Sequence, residues 1–214
     1  MNNILIDKKE IVVENNVLKL EVIHDYLKIT CKGKNKIFLE NRSNINLELI
    51  LEDNSSLELL VKNEEKCCKT DILVIQNNNS NFLYKDAFTS NDDTFLNIKN
   101  VLVGNNNKSE IKIRCISNKD NINIDILADV YKNTSDNVII EDIKGINNGG
   151  NINILPNMEI NTFEVVANHF VTIGNIRESD LFYLKSKGIA EFVAKELILS
   201  GFLKSIFGGE EINE

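Results

Sequence analysis

The sequence predicts an all-β body followed by a small helical block, and three observations carry that expectation. Short period-two runs of apolar and polar residues recur from about residue 11 to residue 154, the pattern of strands with one buried face. The stretches between the runs are rich in Asn, which tolerates the left-handed backbone conformation and bonds its own main chain at sharp corners. No helical period occurs before residue 176, and one follows it.

Taken in order, the alternation starts with Val17-Leu18-Lys19-Leu20-Glu21-Val22 and Tyr26-Leu27-Lys28-Ile29-Thr30. It recurs at Asn44-Ile45-Asn46-Leu47-Glu48-Leu49, Ser56-Leu57-Glu58-Leu59 and Ile72-Leu73-Val74-Ile75. Later runs are Glu110-Ile111-Lys112-Ile113, Asn121-Ile122-Asn123-Ile124-Asp125-Ile126 and Asn151-Ile152-Asn153-Ile154. The separators include Asn77-Asn78-Asn79-Ser80-Asn81, Asn105-Asn106-Asn107 and Asn147-Asn148-Gly149-Gly150. A sandwich, a barrel and a solenoid all remain open to such a pattern. Ile-rich alternation with Asn-rich corners favours a parallel β-helix, in which each coil stacks its apolar residues on the next, although no strict repeat length stands out. After residue 176, Arg177 to Ser186 reads as a short helix and Gly188 as the left-handed residue beyond its end. Ala190 to Phe207 places Val193, Leu197, Leu203 and Ile206 at helical spacing, with Phe192, Phe202 and Phe207 widening the stripe.

Totals bound the function. The 214 residues fit one domain with a sizeable core. The formal net charge of −8 excludes a general nucleic-acid binder, which needs a clustered basic surface. No apolar run approaches the roughly 20 residues that span a bilayer, and the first residues lack a secretory pattern, so a cytoplasmic location is expected. Cys31, Cys67, Cys68 and Cys115 show no CxxC and no zinc spacing; free thiols are expected, with Cys67 and Cys68 on opposite faces of a strand. A phosphate-binding GxxxxGK[ST], a nucleophile elbow and an HExxH are all absent, and only His24 and His169 are available as imidazoles.

Residues 156–207 resemble the C-terminal end of the SufB/SufD family, scaffold proteins of iron–sulfur cluster assembly. The residues that carry the resemblance are Pro156-Asn157-Met158-Glu159-Ile160, then Ala167, His169, Thr172-Ile173-Gly174 and Ile176. Leu181-Phe182-Tyr183-Leu184, Ser186-Lys187-Gly188-Ile189 and Gly201-Phe202 follow with order and spacing kept. The resemblance implies a right-handed parallel β-helix over 1–175, capped at its end by a helical block over 176–207, with 208–214 as a frayed tail.

It also implies a scaffold subunit without catalysis or a bound nucleotide of its own, handling a transient iron–sulfur cluster. SufC, an ABC-type ATPase, would dock on Leu181, Phe182, Tyr183, Leu184, Gly188, Ile189, Gly201 and Phe202. A second SufB/SufD-type chain, or a second copy of this one, would pair through Ile160, Val165, Val166, Ala167 and Val171. His169 matches a histidine implicated in building or holding the nascent cluster, and neutral imidazole is a competent iron ligand. Cys115 is the nearest thiol in sequence.

The chain departs from the family pattern in three respects. Strand-like sequence begins where the family has N-terminal helices, Phe170 stands where SufB proteins carry Glu, and no cysteine lies between Cys115 and His169. Thiolates are the usual cluster ligands, so the chain looks closer to SufD, or to a reduced ancestral form, than to a cluster-holding SufB. The alternatives are a SufC-docking or regulatory β-helix module without cluster chemistry and a carbohydrate-active β-helix enzyme. The latter is disfavoured by aromatics at 7% and by the lack of a carboxylate cluster.

Overall fold

The computed structural model describes residues 3–6, 9–22, 25–40, 44–65 and 69–208. His24, Cys67, Cys68 and residues 209–214 lie outside them. Among the described residues, strands alternate between two all-parallel sheets. One sheet holds, in order, β1 (Asn3–Ile6), β3 (Val17–Val22), β5 (Lys34–Glu40), β7 (Ser56–Glu65), β9 (Asn81–Ser90), β11 (Lys108–Ser117), β13 (Asn137–Asn147) and β15 (Val165–Gly174). The other runs β2 (Glu10–Glu14), β4 (Tyr26–Lys32), β6 (Ile45–Leu51), β8 (Lys69–Gln76), β10 (Thr94–Leu102), β12 (Asn121–Val130) and β14 (Asn151–Ile160). Each coil contributes one strand to each sheet, which makes the body a β-solenoid of the expected class. The single proline, Pro156, sits in β14 at the edge of its sheet, where a missing N–H is tolerated.

Successive coils are not the same length. Asn3 lies opposite Lys19, sixteen residues on, and Val17 opposite Lys36, nineteen on. The step is twenty-five from Ser56 to Asn81 and thirty from Lys108 to Val138. The strands lengthen in parallel, from four residues in β1 to eleven in β13. A coil that grows as it stacks leaves no constant period in the sequence, although neighbouring strands still pair in register apart from a shift between Asn63 and Glu65 in β7.

The interior is a set of apolar ladders. Leu57, Phe82 and Ile139 form one, interrupted by the polar Ser109, and Leu59, Tyr84 and Ile111 another, all buried. From the opposite sheet Leu96, Ile98, Ile122, Ile124 and Ile126 point inward. The outer faces carry Lys and Glu in cross-coil pairs such as Lys28–Glu48 and Lys36–Glu58–Lys85. Pairs of this kind contribute little each but keep the exposed face soluble.

Asparagine turns the corners as expected. Asn54, Asn79 and Asn106 all take the left-handed conformation, with φ of 60°, 55° and 55°. They stack: the Asn54 N–H donates to the carbonyl of Asn78, and the Asn79 N–H to the carbonyl of Asn105. Inside the same corner the Asn137 side-chain oxygen accepts from the Asn107 N–H, and that of Asn107 accepts from the Ser80 N–H, at 3.0 and 2.9 Å. Gly104 lets the coils approach here. A Cβ on it would stand 2.5 Å from the Asn78 nitrogen and 2.7 Å from the Asn77 carbonyl carbon, both backbone atoms that cannot rotate away. Gly104→Ala is therefore expected to destabilise the fold by about 1–3 kcal/mol, the usual cost of overpacking. A urea midpoint equal to wild type would contradict this.

The helical block consists of α1 (Glu178–Ser186), α2 (Glu191–Lys204) and a 3₁₀ turn at Ser205–Phe207. Gly188 ends the first helix with φ +84°, and its N–H donates to the carbonyl of Lys185 at 2.9 Å, as the sequence suggested. The block does not cap the end coil. Its buried anchor is Ile206 and Phe207, which pack with Leu203 against Phe38, Leu60 and Ala87 on the outer face of β5, β7 and β9. Leu60 and Ala87 are apolar residues in the outward phase of their strands, and they need a cover. No helix among the described residues is long and apolar enough to cross a membrane.

Candidate functional site

The end coil is formed by β14 and β15, and both are edge strands. Strand β15 pairs with β13 in register, so Ile139 faces Ala167, Glu141 faces His169, and Ile143 faces Val171. Val165 and Ala167 pack against the buried cluster of Leu102, Ala128, Val130 and Ile139, which fixes them as inward residues. His169, two residues further along, lies on that same inward face. It is nonetheless exposed, because no further coil covers it.

One coil below, Glu141 is 0% exposed. Neither of its carboxylate oxygens has a hydrogen-bond partner. Burial pushes its carboxyl up to about 7, since nothing nearby compensates the charge. Beneath it in the ladder lies Ile111, and Ile139 and Ile143 flank it on its own strand. The inward residues of β12 are Ile122, Ile124, Ile126, Ala128 and Val130, none of them titratable. A carboxylate without a partner, one strand spacing (about 4.8 Å) from an open imidazole, is the chemically unusual feature of this coil.

Glu141 was not singled out from the sequence. The signal was present in Ile139-Ile140-Glu141-Asp142-Ile143, where the acid falls in the same phase as two isoleucines. A charged residue in the apolar phase masked the strand instead of marking a site.

Cys115 does not join this pair. It faces inward on β11 in register with Gly145, not with Glu141. It lies two coils from His169 and four residues along the strand, more than about 13 Å sideways at the usual strand rise. Its thiol is buried and directed at the carbonyl of Lys144, 3.8 Å away. The register thus puts Cys115 and His169 on different ladders. Among the described residues no group of three or more His, Cys, Asp or Glu is placed to hold a metal ion.

The other expected surfaces are open. On the end coil, Ile160, Val166 and Val171 are exposed while Val165 and Ala167 are half-buried. Phe163 and Phe170 extend this apolar area. In the helical block, Phe182 and Phe192 are 74% and 71% exposed, and Tyr183, Val193 and Leu197 join them at the surface. Leu181, Leu184, Ile189 and Phe202 are half-buried, and Gly188 and Gly201 are exposed. Helix α2 carries apolar residues on both sides, with Ala194 turned inward and Phe192, Val193 and Leu197 outward. Such a helix has more apolar surface than its own fold covers.

Comparison with known proteins agrees with the resemblance read from the sequence. Residues 135–202 match the family described as SUF system FeS cluster assembly, SufBD core domain. An iron–sulfur cluster assembly SufBD family protein of Mycobacterium leprae is 40% identical over 62 residues, 28% of this chain and 16% of that protein. One from Mycobacterium tuberculosis H37Rv is 39% identical over a stretch of the same length. The SufBD family protein ycf24 of Galdieria sulphuraria is 28% identical over 135 residues, 61% of either chain. The match thus spans about a sixth of the mycobacterial proteins and less than two thirds of the algal one.

Proposed function

We propose that this chain, a relative of the SufBD family proteins of iron–sulfur cluster assembly, is a non-catalytic scaffold subunit of such an assembly complex. It pairs through its end coil with a SufB/SufD-type chain or a second copy of itself, and its helical block docks a SufC-type ABC ATPase. The observation that carries the reading is the uncovered last coil. Two edge strands there leave backbone donors and acceptors unpaired beside exposed Val166, Phe170 and Val171, an arrangement that favours strand pairing with another chain. His169 lies at the same edge and faces the junction that such pairing would form. The helical block, seated on the side of the solenoid by Ile206 and Phe207, leaves that edge free and presents its own aromatic surface elsewhere.

A SufC-docking module without cluster chemistry is the second reading, favoured by the distance of Cys115 from His169. Light scattering and anaerobic reconstitution, with and without a SufC-type ATPase, test the proposal. The expected result is a dimer, complex formation with the ATPase, and cluster signals that depend on His169. A chain that stays monomeric and ignores the ATPase would overturn it. Complex formation without any cluster signal would select the second reading. His169→Ala is expected to move the melting temperature little, because the imidazole is exposed and breaks no buried hydrogen bond.

A further inference from the structure

We propose that Asn148 is a site of self-modification, at which the adjoining Gly149 peptide nitrogen converts the side-chain amide to a carboxylate. The pair lies in the corner between β13 and β14, and the fold itself sets both residues. Asn148 is the last rung of an amide ladder. Its Nδ2 donates to Asn118 Oδ1 at 2.8 Å, and Asn118 Nδ2 donates to Asn91 Oδ1 at 3.1 Å. Gly149 has φ +119°, and a Cβ there would stand 2.5 Å from the Asn118 carbonyl oxygen, so only glycine fits. The outcome is the one Asn-Gly dipeptide in the sequence.

Three features open this amide to attack. Asn148 and Gly149 are both exposed, so water reaches the corner. The N–H groups of Asn148 and Gly150 donate to the Ser117 carbonyl, whereas among the described residues nothing accepts from the Gly149 N–H between them. Gly149 also has no side chain to shield its nitrogen. At the opposite corner, Asn54, Asn79 and Asn106 are protected in both respects. The residues after them carry side chains, and their N–H groups are held by Glu52 O, Asn107 Oδ1 and Asn137 Oδ1.

The Gly149 nitrogen bonds to Asn148 Cγ as the Cγ–Nδ2 bond breaks. Nδ2 leaves as ammonia with the proton that Gly149 gives up, and a cyclic imide remains. Water then opens the imide at either carbonyl, its hydroxyl going to carbon and its hydrogen to nitrogen. Opening at Cγ yields aspartate. Opening at the main-chain carbonyl yields isoaspartate, whose backbone runs through Cγ and is one methylene longer. A carboxylate has no hydrogen to donate, so either product sets oxygen against Asn118 Oδ1. The longer backbone has no room where Gly149 lies against the Asn118 carbonyl, and it displaces the start of β14.

The test incubates the full chain and Asn148→Ser at physiological temperature, at neutral and at mildly alkaline pH. Peptide mapping with electron-transfer fragmentation separates aspartate from isoaspartate, and ammonia release and melting curves are followed alongside. Wild type is expected to lose the amide at position 148 before any other, faster at the higher pH, with matching ammonia and a lowered melting temperature. Asn148→Ser should release no early ammonia and melt the same before and after incubation. Circular dichroism verifies its fold; if it does not fold, Asn148→Gln, which keeps an amide but closes the ring far less readily, takes its place. An intact amide at position 148, another asparagine converting first, or an equal melting shift in the incubated variant overturns the proposal.

Discussion

Phe182→Asp combined with Phe192→Asp is expected to abolish binding of a SufC-type ATPase while leaving the melting curve of the isolated chain near wild type. Both rings already face solvent, at 74% and 71% exposure, so a carboxylate in either place enters no core. Exposed aromatics clustered on a helical surface are the residue type that dominates interface energetics, at about 2 kcal/mol or more for an anchoring side chain. Loss of two anchors, each replaced by a charge that the partner must desolvate, should weaken the complex by well over 100-fold. Phe207→Asp supplies the contrast. That ring is buried with Leu60 and Ala87, so the charge should unseat the helical block even without a partner. A pull-down or calorimetric titration separates the two. Normal ATPase binding by the double variant would show that this surface is not the docking site.

Glu141→Gln is expected to stabilise the protein above neutral pH and to flatten its pH dependence. The folded-state carboxyl is raised from 4.5 to about 7 by burial. Between those values the native chain holds a proton that the unfolded chain has released. The contribution is therefore fully present below about pH 4.5, and it is lost as pH rises through 7. A shift of that size corresponds to on the order of 3 kcal/mol once the carboxylate is ionised. Glutamine has no proton to lose and fills the same space. Urea unfolding at pH 5, 6, 7 and 8 should show the wild type falling relative to the variant mainly between pH 5 and 7 and levelling off by pH 8. His169 is the titratable neighbour on the adjacent strand, so the series is repeated in the His169→Ala background. Parallel profiles for wild type and the Gln variant would mean that the carboxylate is compensated after all.

These two experiments probe features of different legibility. The exposed aromatics were readable in Leu181-Phe182-Tyr183-Leu184 and in a stripe on α2 too wide for one packing face. Glu141 was not, because its meaning depends on which residue lies one coil above it. Strands β9, β10 and β13 escaped the alternation pattern for a related reason. Asp86, Asn100 and Glu141 occupy inward positions among Phe88, Ile98 and Ile143, and a polar residue in the apolar phase breaks the signal that a strand sends.

By itself, the sequence determined that the chain builds stacked strands with asparagine corners and ends in two helices separated by a left-handed Gly188. Those outcomes depend on local chemistry: side-chain alternation on a pleated strand, the tolerance of Asn for positive φ, and a glycine at a helix end. Only the tertiary structure decided how the coils register, where the helices sit and what His169 faces. Register depends on the cumulative length of coils that grow from sixteen to thirty residues, which no fixed period encodes. The helices went to the side of the solenoid because Phe38, Leu60 and Ala87 from three different coils assemble an apolar seat there, leaving the end coil uncovered. Glu141 and His169, 28 positions apart, became neighbours because one turn of the solenoid at that point is 28 residues long.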